Sequence, residues 1–129
     1  MNIKRIIKFF YQRIFRGWDD SETWNLDTEF YKWIYPRLKV FKDKTVCFPE
    51  KYENLSDWKK ELSKRITQLV FIIDCDMFRF QDWSYIPKKE FLKLKKECAS
   101  YERICCIAFG YMNQDFNKWF GENINYLWW

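Results

Sequence analysis

Histidine is absent from the 129 residues. That gap excludes Ser-His and Cys-His nucleophile pairs, the usual catalytic zinc sets, and the side chain that most readily exchanges a proton near pH 7. Glycine and proline number three each, too few for the tight turns of a many-stranded β fold. The five cysteines, at 47, 75, 98, 105 and 106, are odd in number and lack C-x-x-C spacing. They read as reduced, buried thiols of a cytoplasmic protein. No apolar run is long enough for a signal peptide or for a spanning helix of about 20 residues. No P-loop, dinucleotide fingerprint, H-E-x-x-H, G-x-S-x-G, zinc finger or RNP string occurs. The chain therefore reads as a non-enzyme without cofactor or metal.

What the chain has in excess is aromatic surface. Aromatic residues make up 22% and hydrophobic residues 48%, which excludes a disordered chain and provides for a real core in one domain of this length. Lys, Asn, Ile, Phe and Tyr are abundant, as AT-rich coding DNA would give, but tryptophan has no AT-rich codon. Eight tryptophans therefore mark places that need a large flat side chain, in a core or in a pocket.

Charge divides the chain. Residues 1–17 carry Lys4, Arg5, Lys8, Arg13 and Arg16 and no acid, whereas 18 basic residues in the remainder are matched by 18 acidic ones. This gives a basic N-terminal segment, 1–17, on a neutral body, 18–129. Within 2–16, Ile3, Ile7, Phe10 and Ile14 mark one helical face, with Ile6 beside it, and Arg5, Lys8, Gln12 and Arg16 mark the other. Three uses fit this amphipathic helix: docking on the body, lying on a membrane surface, or contacting nucleic acid or another anionic ligand. Gly17 is placed to end it.

The expected fold is all-α, a compact bundle of about four helices near 3–16, 20–43, 57–74 and 88–120. The second opens on Asp19-Asp20-Ser21-Glu22, a capping sequence. Trp24, Asp27, Tyr31, Ile34, Leu38 and Phe41 then share one face. Asp27 is the acid in that stripe, either a hydrogen-bonding group that fixes register or a ligand contact. Pro36 removes a ladder bond and is expected to kink or break the helix near Tyr35. In the third helix Trp58, Leu62, Ile66, Leu69, Val70 and Ile73 form the expected buried face, with Ser56 or Asp57 as cap and Leu55 as staple. The linker 74–86 carries Asp74, Asp76 and Asp82 but lacks the glycine and terminal glutamate of a calcium loop, so it reads as solvated. Pro87 suits the first position of the last helix. There Phe91, Leu94, Cys98, Tyr101, Cys105, Ala108, Met112, Asp115 and Trp119 alternate in steps of three and four, making Asp115 a second acid in a seam.

The string D-x-x-T-W-N-L-D (Asp20, Thr23, Trp24, Asn25, Leu26, Asp27) followed by P-R-L-K (Pro36, Arg37, Leu38, Lys39) resembles a family of uncharacterised small helical proteins of tailed bacteriophages and prophages. Residues 58–72 and 116–128 are also similar to it, so the resemblance covers most of 15–128. It implies a phage context and a helical fold and supplies no catalytic residues. Relatives tend to end in an acid after Leu-Trp, whereas this chain ends Trp128-Trp129.

Aromatic and basic residues interleave in two places. Arg13, Arg16 and Trp18 precede the motif; Trp33, Arg37 and Lys39 flank Pro36, with Trp24 and Asp27 between the two groups. Indoles stack on bases and guanidinium groups pair with phosphates, so these residues are the candidate ligand set for a nucleotide or other anionic small molecule. The expected function is binding without turnover by a small cytoplasmic phage protein, with sequestration of a nucleotide immune signal as the counter-defence version. The alternative is an interaction module that meets protein, nucleic acid or membrane through residues 1–16. The aromatic excess and the terminal indoles further suggest a homo-oligomer.

Overall fold

A computed structural model describes residues 2–16, 20 and 26–127. Among them the architecture is all-helical, with bundle-like packing and no strand. Five α-helices follow one another: α1 (Ile3–Arg16), α2 (Leu26–Lys44), α3 (Leu55–Asp74), α4 (Lys88–Lys96) and α5 (Tyr101–Asn123). The chain forms two compact units, Met1–Ile34 and Tyr35–Trp129. Trp24, Trp128 and Trp129, expected in the core or at an interface, lie outside the described residues.

In the first unit α1 contributes no buried residue. Its polar face closes on Asp20. Gln12 Nε2 donates to Asp20 Oδ2 at 2.9 Å and the Asp20 backbone N–H donates back to Gln12 Oε1 at 2.8 Å. Lys8 lies 3.2 Å from the same carboxylate, and Arg16 pairs with its other oxygen. Donation from Gln12, then from Arg16 and Lys8, holds the Asp20 carboxyl far below the ordinary carboxylate range.

The helix α2 runs through Pro36 without interruption, so the expected break is not made. One missing N–H costs one ladder bond, and apolar residues on both sides hold the turns around it: Tyr31, Ile34, Leu38 and Phe41 are buried. Asp27, assigned to that stripe, is exposed in the first turn and accepts from the Thr28 N–H at 2.8 Å.

The second unit is built on α5. Ile104, Cys105, Ala108, Phe109, Met112, Phe116 and Trp119 are buried along it. Against them α3 lays Trp58, Leu62, Leu69 and Ile72, with the Trp58 and Trp119 rings 6.1 Å apart. The helix begins two residues earlier than expected and neither Ser56 nor Asp57 caps it: Asn54 Oδ1 accepts from the Asp57 N–H at 2.9 Å, and Leu55, expected as the staple, is the first helical residue. Its buried face is also turned from the expected one. Arg65 and Gln68 are buried, while Ile66 and Ile73 are only partly covered and Val70 is exposed. The run 69–73 is helix throughout.

The expected helix 88–120 is two helices. A Schellman turn ends α4: Cys98 takes the left-handed conformation at φ 55°, its N–H meets the Lys95 carbonyl at 3.1 Å, and the Ala99 N–H meets the Leu94 carbonyl at 3.0 Å. Ser100 then caps α5, its Oγ accepting from the Arg103 N–H at 3.2 Å. Two seam positions leave the core at this break. Cys98 is exposed and Tyr101 is 45% exposed, although Leu94 and Met112 are buried as expected. The cysteines correct their own reading too. All five are free thiols, but only Cys105 is buried; Cys75, also left-handed at φ 54°, and Cys98 cap helix ends at the surface.

Candidate functional site

A cleft of about 490 Å³ opens in the second unit between α3, the linker after it, and α5. Helical spacing builds its first wall: Lys64, Thr67, Gln68 and Phe71 fall at steps of three and four on α3 and all line the cleft. The linker builds the second. It is folded into two 3₁₀ turns, Met77–Arg79 and Trp83–Tyr85, and presents Arg79, Phe80, Gln81, Asp82 and Tyr85. Phe80 pins it down. Its ring meets Phe71 edge-on at 5.3 Å and Phe109 edge-on at 5.9 Å, with Tyr85 at 6.0 Å. Met112 of α5, fully buried, contributes to the lining.

Beside the cleft runs a polar network that fixes the wall. Arg65 Nη1 donates to Asp115 Oδ2 at 2.6 Å and to Gln68 Oε1 at 3.0 Å. Its other nitrogens hold Glu61, at 2.8 Å from Nε and 2.6 Å from Nη2. The guanidinium lies 5.2 Å over the Trp119 ring. Gln68 Nε2 donates in turn to Asp115 at 2.9 Å and to the Tyr85 hydroxyl at 3.0 Å. The Gln68 amide is thereby used on both its oxygen and its nitrogen, which locks its orientation.

Protonation states follow from these contacts. Burial alone would raise the Asp115 carboxyl, but hydrogen bonds from Gln68 and Arg65, with the Arg65 charge, outweigh it and hold the group below the ordinary carboxylate range. Burial pushes the Tyr85 phenol up, with the Asp82 and Asp115 charges adding to it. Tyr85 is therefore neutral at pH 7, and since it accepts from Gln68 it retains a proton to donate. The cleft thus combines flat apolar walls, a hydroxyl donor, two cations, Lys64 and Arg79, and one acid, Asp82. Arg79 is widely exposed and 3.8 Å from Asp76.

The linker acids serve local structure. Asp76 faces Arg79, and Asp82 caps the second 3₁₀ turn by accepting from the Ser84 N–H at 3.2 Å. Among the described residues no cluster of Cys, Asp or Glu is arranged to hold a metal ion.

Of the eight residues named from sequence, the six that are described, Arg13, Arg16, Asp27, Trp33, Arg37 and Lys39, are not among those lining this cleft. Arg13 and Arg16 are exposed on α1, and Asp27 is in the first turn of α2. Trp33 is 52% exposed on α2. Arg37 lines a separate, open depression of about 510 Å³ with Pro36, Val40 and Phe41. The Lys39 ammonium sits 5.3 Å over the Tyr35 ring. Trp18 and Trp24 lie outside the described residues. The cleft residues were missed because Lys64 and Arg79 look like ordinary solvated cations in sequence. One signal was available: Arg65 interrupts the apolar stripe of α3 as Asp115 interrupts that of α5, and two opposite charges in facing seams pair. No protein-family model, curated protein or solved structure matches the chain.

Proposed function

We propose that the protein binds, without turning over, a small anionic ligand with a flat apolar part, a nucleotide being the leading candidate, in the cleft between α3, the linker and α5. The observation that carries this reading is the composition of one cleft. Phe71, Phe80 and Tyr85 offer ring surface, and Lys64 and Arg79 offer positive charge, around a volume of about 490 Å³. That volume lies within the usual range of roughly 300–1,000 Å³ for small-molecule sites. A nucleotide needs both features, a face for its base and cations for its phosphate. The Arg65–Gln68–Asp115 network supports it further by holding Tyr85 and the α3 wall before any ligand arrives, which lowers the ordering cost of binding. In the phage context that the motif at Asp20–Lys39 implies, such capture would sequester a nucleotide immune signal of the host.

The test is calorimetry and thermal shift against mono-, di- and cyclic nucleotides. Lys64→Ala and Arg79→Ala should weaken binding while leaving the fold intact, and raised salt should weaken it further. Arg37→Ala is the contrast: if it abolishes binding and the cleft variants do not, the ligand sits on α2 instead. No heat and no shift across the panel retires the reading.

A further inference from the structure

The helix α1 leaves its apolar side exposed. Large side chains at helical steps along it stand open: Ile3 is 72% exposed, Phe10 66%, and Ile7, Ile14 and Phe15 are comparable. Amphipathic helices in folded proteins ordinarily turn this side to a core. Here the opposite side is engaged, with Lys8, Gln12 and Arg16 all meeting Asp20. No helix among the described residues is long and apolar enough to cross a membrane, and α1 itself has 14 residues.

We propose that α1 lies in the interfacial plane of an anionic lipid surface, with Ile3, Ile7, Phe10 and Ile14 entering the acyl boundary. Charge selects this occupant. The segment 2–16 has five cations and no acid. Helical spacing puts Lys4 on one edge of the apolar side, beside Ile7 and Tyr11. Long cationic side chains at the rim of an apolar face reach up to headgroup phosphates while their stems stay in the boundary region. A second copy of the chain fits less well, since pairing this face with itself brings rim cations toward rim cations without an acid on α1 to answer them. A polyanion such as nucleic acid would neutralise charge but leave the isoleucine and phenylalanine side chains in water. The inference rests on α1 alone and is independent of the cleft.

The experiment is flotation of the full-length protein with large unilamellar vesicles, one set pure phosphatidylcholine and one an equal mixture with phosphatidylglycerol. The protein should float with the mixed vesicles and at least tenfold less with the neutral ones, and added salt should release it. Ile7→Ser combined with Phe10→Ser should abolish flotation, and Lys4→Gln should weaken it about fivefold. Because these side chains are exposed, circular dichroism and the thermal midpoint should stay at the wild-type values. Absent flotation of the wild type, or equal flotation with both vesicle sets, overturns the proposal. So does a dimer in light scattering that the double variant converts to monomer, which would assign the face to a second copy.

Discussion

Arg65 is the residue whose replacement says most about how the second unit is held. Its side chain is 8% exposed and meets Glu61, Gln68, Asp115 and the face of Trp119. Hydrogen bonds to charged groups contribute about 1.5–3 kcal/mol each, and breaking a buried pair from one side costs roughly 3–5 kcal/mol. Asp115 keeps 38% of its side chain in water and Glu61 22%, so solvent recovers part of that loss. Arg65→Met, which keeps bulk over Trp119, should cost about 2–3 kcal/mol. Asp115→Asn keeps an oxygen for Gln68 and Arg65 but removes the charge, and should cost about 1 kcal/mol. If the two groups stabilise the fold through each other, the double variant should lose about 1 kcal/mol less than the two singles together. Urea titration followed by tryptophan fluorescence at pH 7 measures all four corners. A coupling energy below about 0.5 kcal/mol, the scatter of independent sites, would refute the network. The pH dependence gives a second reading of the same group. The Asp115 carboxyl is lowered in the folded chain, so its contribution is complete above the ordinary carboxylate range near pH 4 and disappears as pH falls through the lowered folded value. Wild type and Asp115→Asn should therefore differ most at neutral pH and converge in acid. A difference that grew on acidification would have the wrong sign.

Other expectations follow from single positions. Leu62 is fully buried on α3, so Leu62→Ala should cost about 2–5 kcal/mol in the same titration, and a loss under about 0.5 kcal/mol would mean the face is misassigned. Cys98 pays the left-handed penalty of about 1–2 kcal/mol that glycine avoids, against roughly 0.5–1 kcal/mol of extra unfolded-chain entropy for glycine. Cys98→Gly should raise the thermal midpoint slightly, and a clear fall would show that the Schellman turn is not what ends α4. Ser100→Ala removes the cap of α5 and should cost about 1 kcal/mol, whereas an unchanged midpoint would point to a continuous helix through residues 97–100.

The sequence alone determined the helical class and most helix bounds, because periodicity is local. The spacing of Ile3, Ile7, Phe10 and Ile14 places α1 at 3–16, and that of Trp58, Leu62 and Leu69 places α3 to within a few residues. It also determined where charge lies, since five cations before Gly17 are a fact of composition. The break between α4 and α5 escaped it for a physical reason. Steps of three and four continue unbroken from Leu94 through Cys98 and Tyr101 to Cys105, and hydrophobic rhythm carries no mark of a single residue entering the left-handed region. The Ser100 cap, with Glu102 behind it, was the only local cue. The orientation of α3 was likewise decided by tertiary contacts. Arg65 and Gln68 can turn inward only because Asp115, some 50 residues later in the chain, meets them, and no window on α3 contains that partner. The cleft is the extreme case. Its walls come from one helix, two short turns and a second helix, and the rings that shape it are brought together by Phe80 packing against Phe71 and Phe109.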